Sequence, residues 1–396
     1  MKTLVFSTYG ARGDVFPYLA IALEAKRRGA RAIIATSENY RTEIEALGLQ
    51  FRAISPAAPT REQAQKMMHR VTGTEFLFRD LLLPTLAQSV AELRESCRDA
   101  EVLVTHTTSL AGPIVAELEA ARGLKWASCA VSPLALLTPD VALPALPRAA
   151  DFPALNRAIL GLLKRQLGMK LKATQQIRAS LGISRGDNAL WSDAHSPTLQ
   201  LALWPDFFAP MAAESKRKAV GFCFLDAKEA LAPEVEKFLS DAEAPLIFVA
   251  ASFASSQKWE RESISAAKNL GKRAVLLGAP ENSVSQGVLR WQFAPLEAIL
   301  PRCCALVHAG GIGTLALGLR AGLPMLLAPR AHDQFDNARR AAKLGLVQVR
   351  RNGDLAMQIR ALLEDGGLKK RLKTARGQIE NGATGAADRL ERFAAK

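Results

Sequence analysis

Ala305-Leu306-Val307-His308-Ala309-Gly310-Gly311-Ile312-Gly313-Thr314 joins an apolar run to a glycine turn, and a helical run from Leu315 to Ala321 follows at once. Glycines between a strand and a helix let a ligand approach the backbone closely. The helix start presents unpaired N–H groups and the positive end of the dipole, roughly half a charge. His308 can add a ring N–H and Thr314 a hydroxyl. These parts suit a diphosphate. Structural glycines at a plain strand–turn–helix junction would give the same local pattern. The run also lacks Gly-x-Gly-x-x-Gly spacing and the Gly-Lys-Ser/Thr of a P-loop.

The residues around the turn add to it. Gly322-Leu323-Pro324 leads into a strand-like run, Met325 to Ala328, then Pro329-Arg330-Ala331-His332-Asp333-Gln334-Phe335-Asp336-Asn337-Ala338. Asp333 and Gln334, after a strand and before another helix, place a carboxylate beside an amide. Such a pair can accept from and donate to the vicinal hydroxyls of a sugar. A helix N-cap would explain Asp333, but not the whole combination.

Outward from this segment, short apolar runs alternate with helical patterns along nearly the whole chain. Thr3 to Ser7, Arg31 to Thr36, Val102 to Thr105, Trp126 to Val131 and Leu199 to Leu203 read as strands. The pattern restarts near Pro245 with Leu246 to Ala251, then Ala274 to Leu277, Ala305 to His308, Met325 to Ala328 and Leu346 to Val349. This β-α-β alternation predicts α/β architecture, parallel sheets covered by helices on both faces. Two units are expected, 1–210 and 216–380. A linker region lies between Pro205 and Ser240, and the run Ala219 to Phe222 is a candidate first strand of the second unit.

Taken together, Phe293-Ala294-Pro295, the His308 to Thr314 turn, Gly322-Leu323-Pro324 and His332 to Ala338 resemble the donor-binding motif of family 1 glycosyltransferases with the GT-B fold. Within that family the likeness is nearest to bacterial rhamnosyltransferases and to lipid- and macrolide-type enzymes. The resemblance implies two Rossmann-like domains whose sheets face a central cleft, the first binding the acceptor and the second the donor. A C-terminal helix at about 381–396 would pack back on the first. It also implies roles: Phe293 and Ala294 against the nucleotide base; His308, Gly310, Gly311, Gly313 and Thr314 on the diphosphate; Asp333 and Gln334 on sugar hydroxyls. Two departures stand out. Ala309 occupies a position where many bacterial members carry a second His. Ser252-Phe253-Ala254-Ser255 resembles the family's Ser-Phe-Gly-Ser loop with Ala254 in place of Gly, which restricts φ and weakens the case for Ser255 as a donor contact.

Near the start, Ser7-Thr8-Tyr9-Gly10-Ala11-Arg12-Gly13-Asp14-Val15-Phe16-Pro17 follows the first strand. A helix is expected to begin near Pro17, a favoured first-turn residue. Asp14 then falls in a loop at the strand's C-terminal end, where open α/β sheets bind ligands. Local sequence favours a capping role for it. The family's Gly-Asp-Val-x-Pro pattern, matched by Gly13 to Pro17, implies instead the general base. Gly10, Arg12 and Gly13 would approach the donor phosphates.

The implied reaction is an inverting transfer of a hexose or deoxyhexose from a dTDP- or UDP-sugar to a hydroxyl of a small lipophilic acceptor. The nucleotide-sugar is a co-substrate, and neither a cofactor nor a metal is expected: there is no Asp-x-Asp, and His69, His106 and His195 show no ligand spacing. His106, just after a strand, is a candidate to line the acceptor cleft. A non-catalytic GT-B relative that binds nucleotide or assists a partner enzyme would be expected to lack Asp14, Asp333 or Gln334, and all three are present.

Composition sets the outer limits. The chain has 396 residues, 49% hydrophobic and 23% charged, which excludes disordered, collagenous and disulfide-stapled classes. Five cysteines, with no Cys-x-x-Cys, fit free thiols in a reducing cytoplasm. No apolar run approaches the ~20 residues of a membrane-spanning helix. The net charge of +14 asks for an anionic partner. Dispersed basic residues without a recognition motif speak against nucleic acid. The proposed site uses few full charges, so most of the surplus lies elsewhere. Lys164, Arg165, Lys170 and Lys172 form the obvious cluster, within the Leu-rich stretch Ile159 to Ile183. Two accounts fit it: an amphipathic helix packed on its own sheet, as most are, or a peripheral contact with the inner membrane face. Phe76 to Arg98, interrupted at Pro84, is a second such helical stretch.

Overall fold

A computed structural model describes all residues except 185, 212–215, 227–229, 242, 251–255 and 396. The chain divides into two compact units. One comprises 1–67, 71–225 and 381–396; the other comprises 68–70 and 226–380.

The first unit is built on seven strands: β1 (Thr3–Ser7), β2 (Arg31–Thr36), β3 (Gln50–Ala53), β4 (Val102–His106), β5 (Lys125–Ala130), β6 (Leu199–Ala202) and β7 (Arg217–Ala219), in the order β3-β2-β1-β4-β5-β6-β7. Every pairing is parallel. β1 and β4 are buried along their whole length, as expected of strands covered by helices on both faces, which is why they read as continuous apolar runs. β1 pairs with β2 on one side and β4 on the other, with Ser7 opposite Thr105. The strand order reverses there, and the ends of β1 and β4 come side by side.

Two expectations change. The first helix spans Arg12–Arg27, so Pro17 lies inside it and Asp14 in its first turn. Asp14 explains the early start, because its Oδ2 accepts from the Ala11 N–H at 2.9 Å and closes the helix end. Pro17 then removes one helical hydrogen bond, to the Gly13 carbonyl, while its fixed φ suits the helix. The basic run Lys216-Arg217-Lys218 is not a linker or the start of the second unit. It forms the edge strand β7 on β6, where charged side chains on an outer strand discourage further pairing. The unit boundary therefore lies at 225/226.

After the second unit, the chain returns to the first. Asn381 ties it there: its Oδ1 accepts from the Phe224 N–H at 3.0 Å and its amide donates to the Phe224 carbonyl at 2.8 Å. The helix Ala383–Ala395 then packs on the Arg12–Arg27 helix.

The second unit repeats the plan with β8 (Leu246–Val249), β9 (Ala274–Leu277), β10 (Ser283–Ser285), β11 (Val288–Trp291), β12 (Ala305–His308), β13 (Met325–Leu327) and β14 (Gln348–Val349), ordered β10-β11-β9-β8-β12-β13-β14. All pairings are parallel except β10 on β11. That hairpin was not foreseen. Its two turn residues, Gln286 and Gly287, have φ of 49° and 74°, a turn whose twist matches the flanking strands. Again the unit's first strand is central, with β12 beside it as β4 lies beside β1.

Of the two Leu-rich helical stretches, Leu86–Ser96 packs through Leu86, Val90 and Leu93 into the core of the first unit. Pro153–Lys170 behaves differently and buries little beyond Asn156 and Leu160. No helix among the described residues is long and apolar enough to cross a membrane.

Candidate functional site

In the second unit, β12 ends in His308, and the Gly311 N-cap opens the helix Ile312–Ala321. His308 is buried, and its Nδ1 accepts from the Gly310 N–H at 3.1 Å. A backbone donor on Nδ1 places the neutral ring's proton on Nε2. That atom is buried and has no partner among the described residues. Burial holds the ring's pKa down at about 3, so His308 presents an uncharged N–H. Gly310 has a φ of 90°, a conformation that favours glycine. Space above the Gly311 Cα is open. The N–H groups of Gly313 and Thr314 lie in the first turn, beyond reach of any intrahelical carbonyl.

Asp333 and Asn337 hold this turn against the segment that follows β13. The Asp333 carboxylate accepts from the Asn337 amide at 2.7 Å and from the Ile312 N–H. It thus caps the neighbouring helix and makes no side-chain bond to the start of its own. It is half-buried by surface area, yet enough protein surrounds it that desolvation pushes its pKa up to about 6; the like charge of Asp336 adds to this. Gln334 Oε1 accepts from the N–H groups of Arg330 and Ala331 at 2.9 and 3.1 Å, which leaves its amide N–H₂ as the end able to donate. Asn337 joins the two segments by also donating to the Gly310 carbonyl at 3.1 Å. Sequence reading quoted Asn337 within the motif without giving it a role; a small amide one helical turn after Asp333 was the available signal. Phe293 is exposed just past β11, and Ala294 beside it is buried. Ser255 and its loop, 252–255, lie outside the described residues.

In the first unit, Asp14 stands over Gly10. A Cβ at position 10 would come within 2.3 Å of Asp14 Oδ2, and Gly10 has a φ of 145°, so only glycine fits under the carboxylate. Tyr40 donates to the Gly10 carbonyl at 3.0 Å, and the Thr8 hydroxyl donates to the Asp14 carbonyl at 2.9 Å. His106, at the end of β4, places Nε2 3.7 Å from Asp14 Oδ1. The Thr108 N–H donates to its Nδ1 at 2.9 Å, so the neutral ring carries its proton on Nε2, facing the carboxylate. Burial holds its pKa down at about 4, so the contact is polar and not an ion pair at neutral pH. Gly13 has open space around its Cα. Arg12 is engaged by Glu43 at 2.5 Å and lies over the Phe16 ring, so its charge is partly spent within the unit.

Both halves of the chain match glycosyltransferase models. Residues 4–124 match the glycosyltransferase family 28 N-terminal domain, and residues 278–381 match the erythromycin biosynthesis protein CIII-like C-terminal domain. The chain is 26% identical to O-mycaminosyltylonolide 6-deoxyallosyltransferase of Streptomyces fradiae, an alignment spanning 98% of this chain and 96% of that protein. It is 26% identical to a sterol 3-beta-glucosyltransferase of Yarrowia lipolytica over 85% of this chain and 25% of that longer protein. The solved glycosyltransferase of kitacinnamycin shares the fold, with a TM-score of 0.74, 18% identity and 98% of each chain covered. The sheets, the two strand-end histidines and these matches agree: the chain belongs to the family 1 glycosyltransferases of GT-B fold, of the macrolide type.

Proposed function

We propose that this protein moves a hexose or deoxyhexose from a dTDP- or UDP-sugar to a hydroxyl of a small lipophilic natural product, with inversion at the anomeric carbon. The observation that carries the reading is the buried, unpartnered Nε2–H of His308 at a glycine turn that opens a helix. A buried donor without an acceptor is costly, and a diphosphate oxygen would satisfy it.

In the proposed step, the acceptor oxygen forms a bond to the anomeric carbon as its proton passes to the Asp14 carboxylate. The bond from that carbon to the phosphate oxygen breaks, and the nucleoside diphosphate leaves with the electron pair. His308 N–H, the first-turn N–H groups and the Thr314 hydroxyl are donors suited to the developing charge, so no metal is invoked. Asp333 caps the start of this helix through the Ile312 N–H and so fixes the turn offered to the diphosphate. The Gln334 amide is the donor left for a sugar hydroxyl. Phe293 offers an exposed ring for a base. The full-length likeness to a deoxyallosyltransferase acting on a tylonolide supports a deoxyhexose and a macrolide-like acceptor.

A thermal-shift series with UDP, dTDP and GDP, followed by product mass spectrometry on lipophilic alcohols, tests the reading. A ligand that binds only the folded state raises its melting temperature. A rise with dTDP or UDP and a product heavier by one hexose or deoxyhexose residue are expected. A rise without product from any donor would favour a nucleotide-binding relative without turnover. No rise with any nucleotide would overturn the donor site.

A further inference from the structure

The helix Pro153–Lys170 leaves its apolar side bare. Phe152, Leu155, Leu162 and Met169 are each more than half exposed, and Leu146 just upstream is 53% exposed. Leu155, Leu162 and Met169 are spaced by seven, so they lie along one face of the helix. Other large exposed hydrophobics, such as Val284 and Met357, are scattered singly. Such isolated residues are normal on a surface, whereas a contiguous row calls for a partner.

Charge indicates which partner. Between positions 146 and 172 there are six Lys or Arg and one acidic residue, Asp151, a net +5 out of the chain's +14. Lys164 is paired with Asp187 and Lys170 with Glu75. Arg157, Arg165 and Lys172 are exposed, with no carboxylate partner among the described residues. A protein partner or a second copy would seal a leucine row with apolar surface. It would gain nothing from a surrounding excess of unpaired positive charge, and two copies would oppose like charges. A surface of anionic lipid answers both features: headgroups take the cations, and the acyl boundary takes Leu, Phe and Met.

We propose that the Pro153–Lys170 helix, with Phe152 ahead of it, is a docking face for an anionic lipid bilayer. The helix lies in the plane of the interface, its leucine row inserted and Arg165, to one side of that row, at headgroup level. This places a membrane-surface contact in the first unit and is independent of the sugar-transfer reading.

The test is vesicle flotation of the full-length protein without donor or acceptor. Phosphatidylcholine vesicles are compared with vesicles that also contain phosphatidylglycerol. The protein should float with the anionic vesicles and stay behind with the neutral ones. Added salt should weaken the association. Arg165→Gln and Lys172→Gln should each lower the partition by about fivefold. Leu155→Ser with Leu162→Ser should remove it, while Met357→Ser, away from the row, leaves it unchanged. Circular dichroism checks that the variants remain folded, which is expected because the altered side chains are exposed. Equal partition on both vesicle types, or flotation unaffected by the serine changes, would overturn the proposal. So would a sedimentation result in which the wild type is a dimer and the Leu155→Ser, Leu162→Ser variant a monomer, because the row would then be the cover between two copies.

Discussion

His106 and His308 occupy the same place in two sheets. Each ends a strand beside the central first strand of its unit, β4 next to β1 and β12 next to β8. Each is buried, takes the N–H of the residue two positions on at Nδ1, and is held neutral by burial. Neither Nε2 has a hydrogen-bond partner among the described residues, but the His106 Nε2 faces the Asp14 carboxylate at 3.7 Å. A single backbone device thus fixes the tautomer twice. In one unit the resulting donor is aimed at a carboxylate. In the other it is left for an oxygen that the described residues do not supply.

The largest test of this contrast is Asp14→Asn. It removes the proposed proton acceptor and keeps the shape, so turnover should fall by about 10²–10⁴-fold, while the thermal shift produced by nucleotide stays near the wild-type value. Full turnover in this variant would reduce Asp14 to the helix-closing group that its bond to Ala11 already makes it. Next, His308→Ala should weaken nucleoside diphosphate binding by about 10–100-fold, as expected for one hydrogen bond to a charged group, and leave binding of the bare nucleoside unchanged. Equal loss for both ligands would mean that the histidine only shapes the turn.

The smallest effect is expected at His106, a positioning residue that acts through Asp14. His106→Phe should lower kcat by about tenfold without a change in the donor KM, and His106→Gln, which keeps a side-chain N–H, should recover most of the loss. Failure of glutamine to do better than phenylalanine would break the parallel between the two histidines. The glutamine variant should also resist acid better. The folded-state pKa of His106 is depressed from 6.5 to about 4, so its contribution to stability is complete above 6.5 and is lost as pH falls toward 4. Acid melting curves of the two proteins read this directly.

The site in the second unit was the more legible in the sequence because its parts are local. Strand, glycine turn, helix start and the Asp333-Gln334 pair fall between positions 305 and 338, and turn chemistry and helix-terminus electrostatics act over a few residues. Even there, the fold gives Asp333 a contact that the sequence did not show: its carboxylate accepts from the Ile312 N–H of the preceding helix. The partner of Asp14 was not legible at all. His106 is 92 residues away, and only the pairing of β1 with β4, Ser7 opposite Thr105, brings the two together.

The sequence by itself determined the alternation of strands and helices, two sheets, and a turn suited to a diphosphate, because periodicity and glycine conformational preference are properties of neighbouring residues. It also showed a basic cluster at Lys164, Arg165, Lys170 and Lys172. Only the tertiary structure decided that the Pro153–Lys170 helix has a bare apolar row and that Arg217-Lys218-Ala219 is an edge strand. Burial and long-range pairing depend on what the rest of the chain covers, and no local pattern reports that.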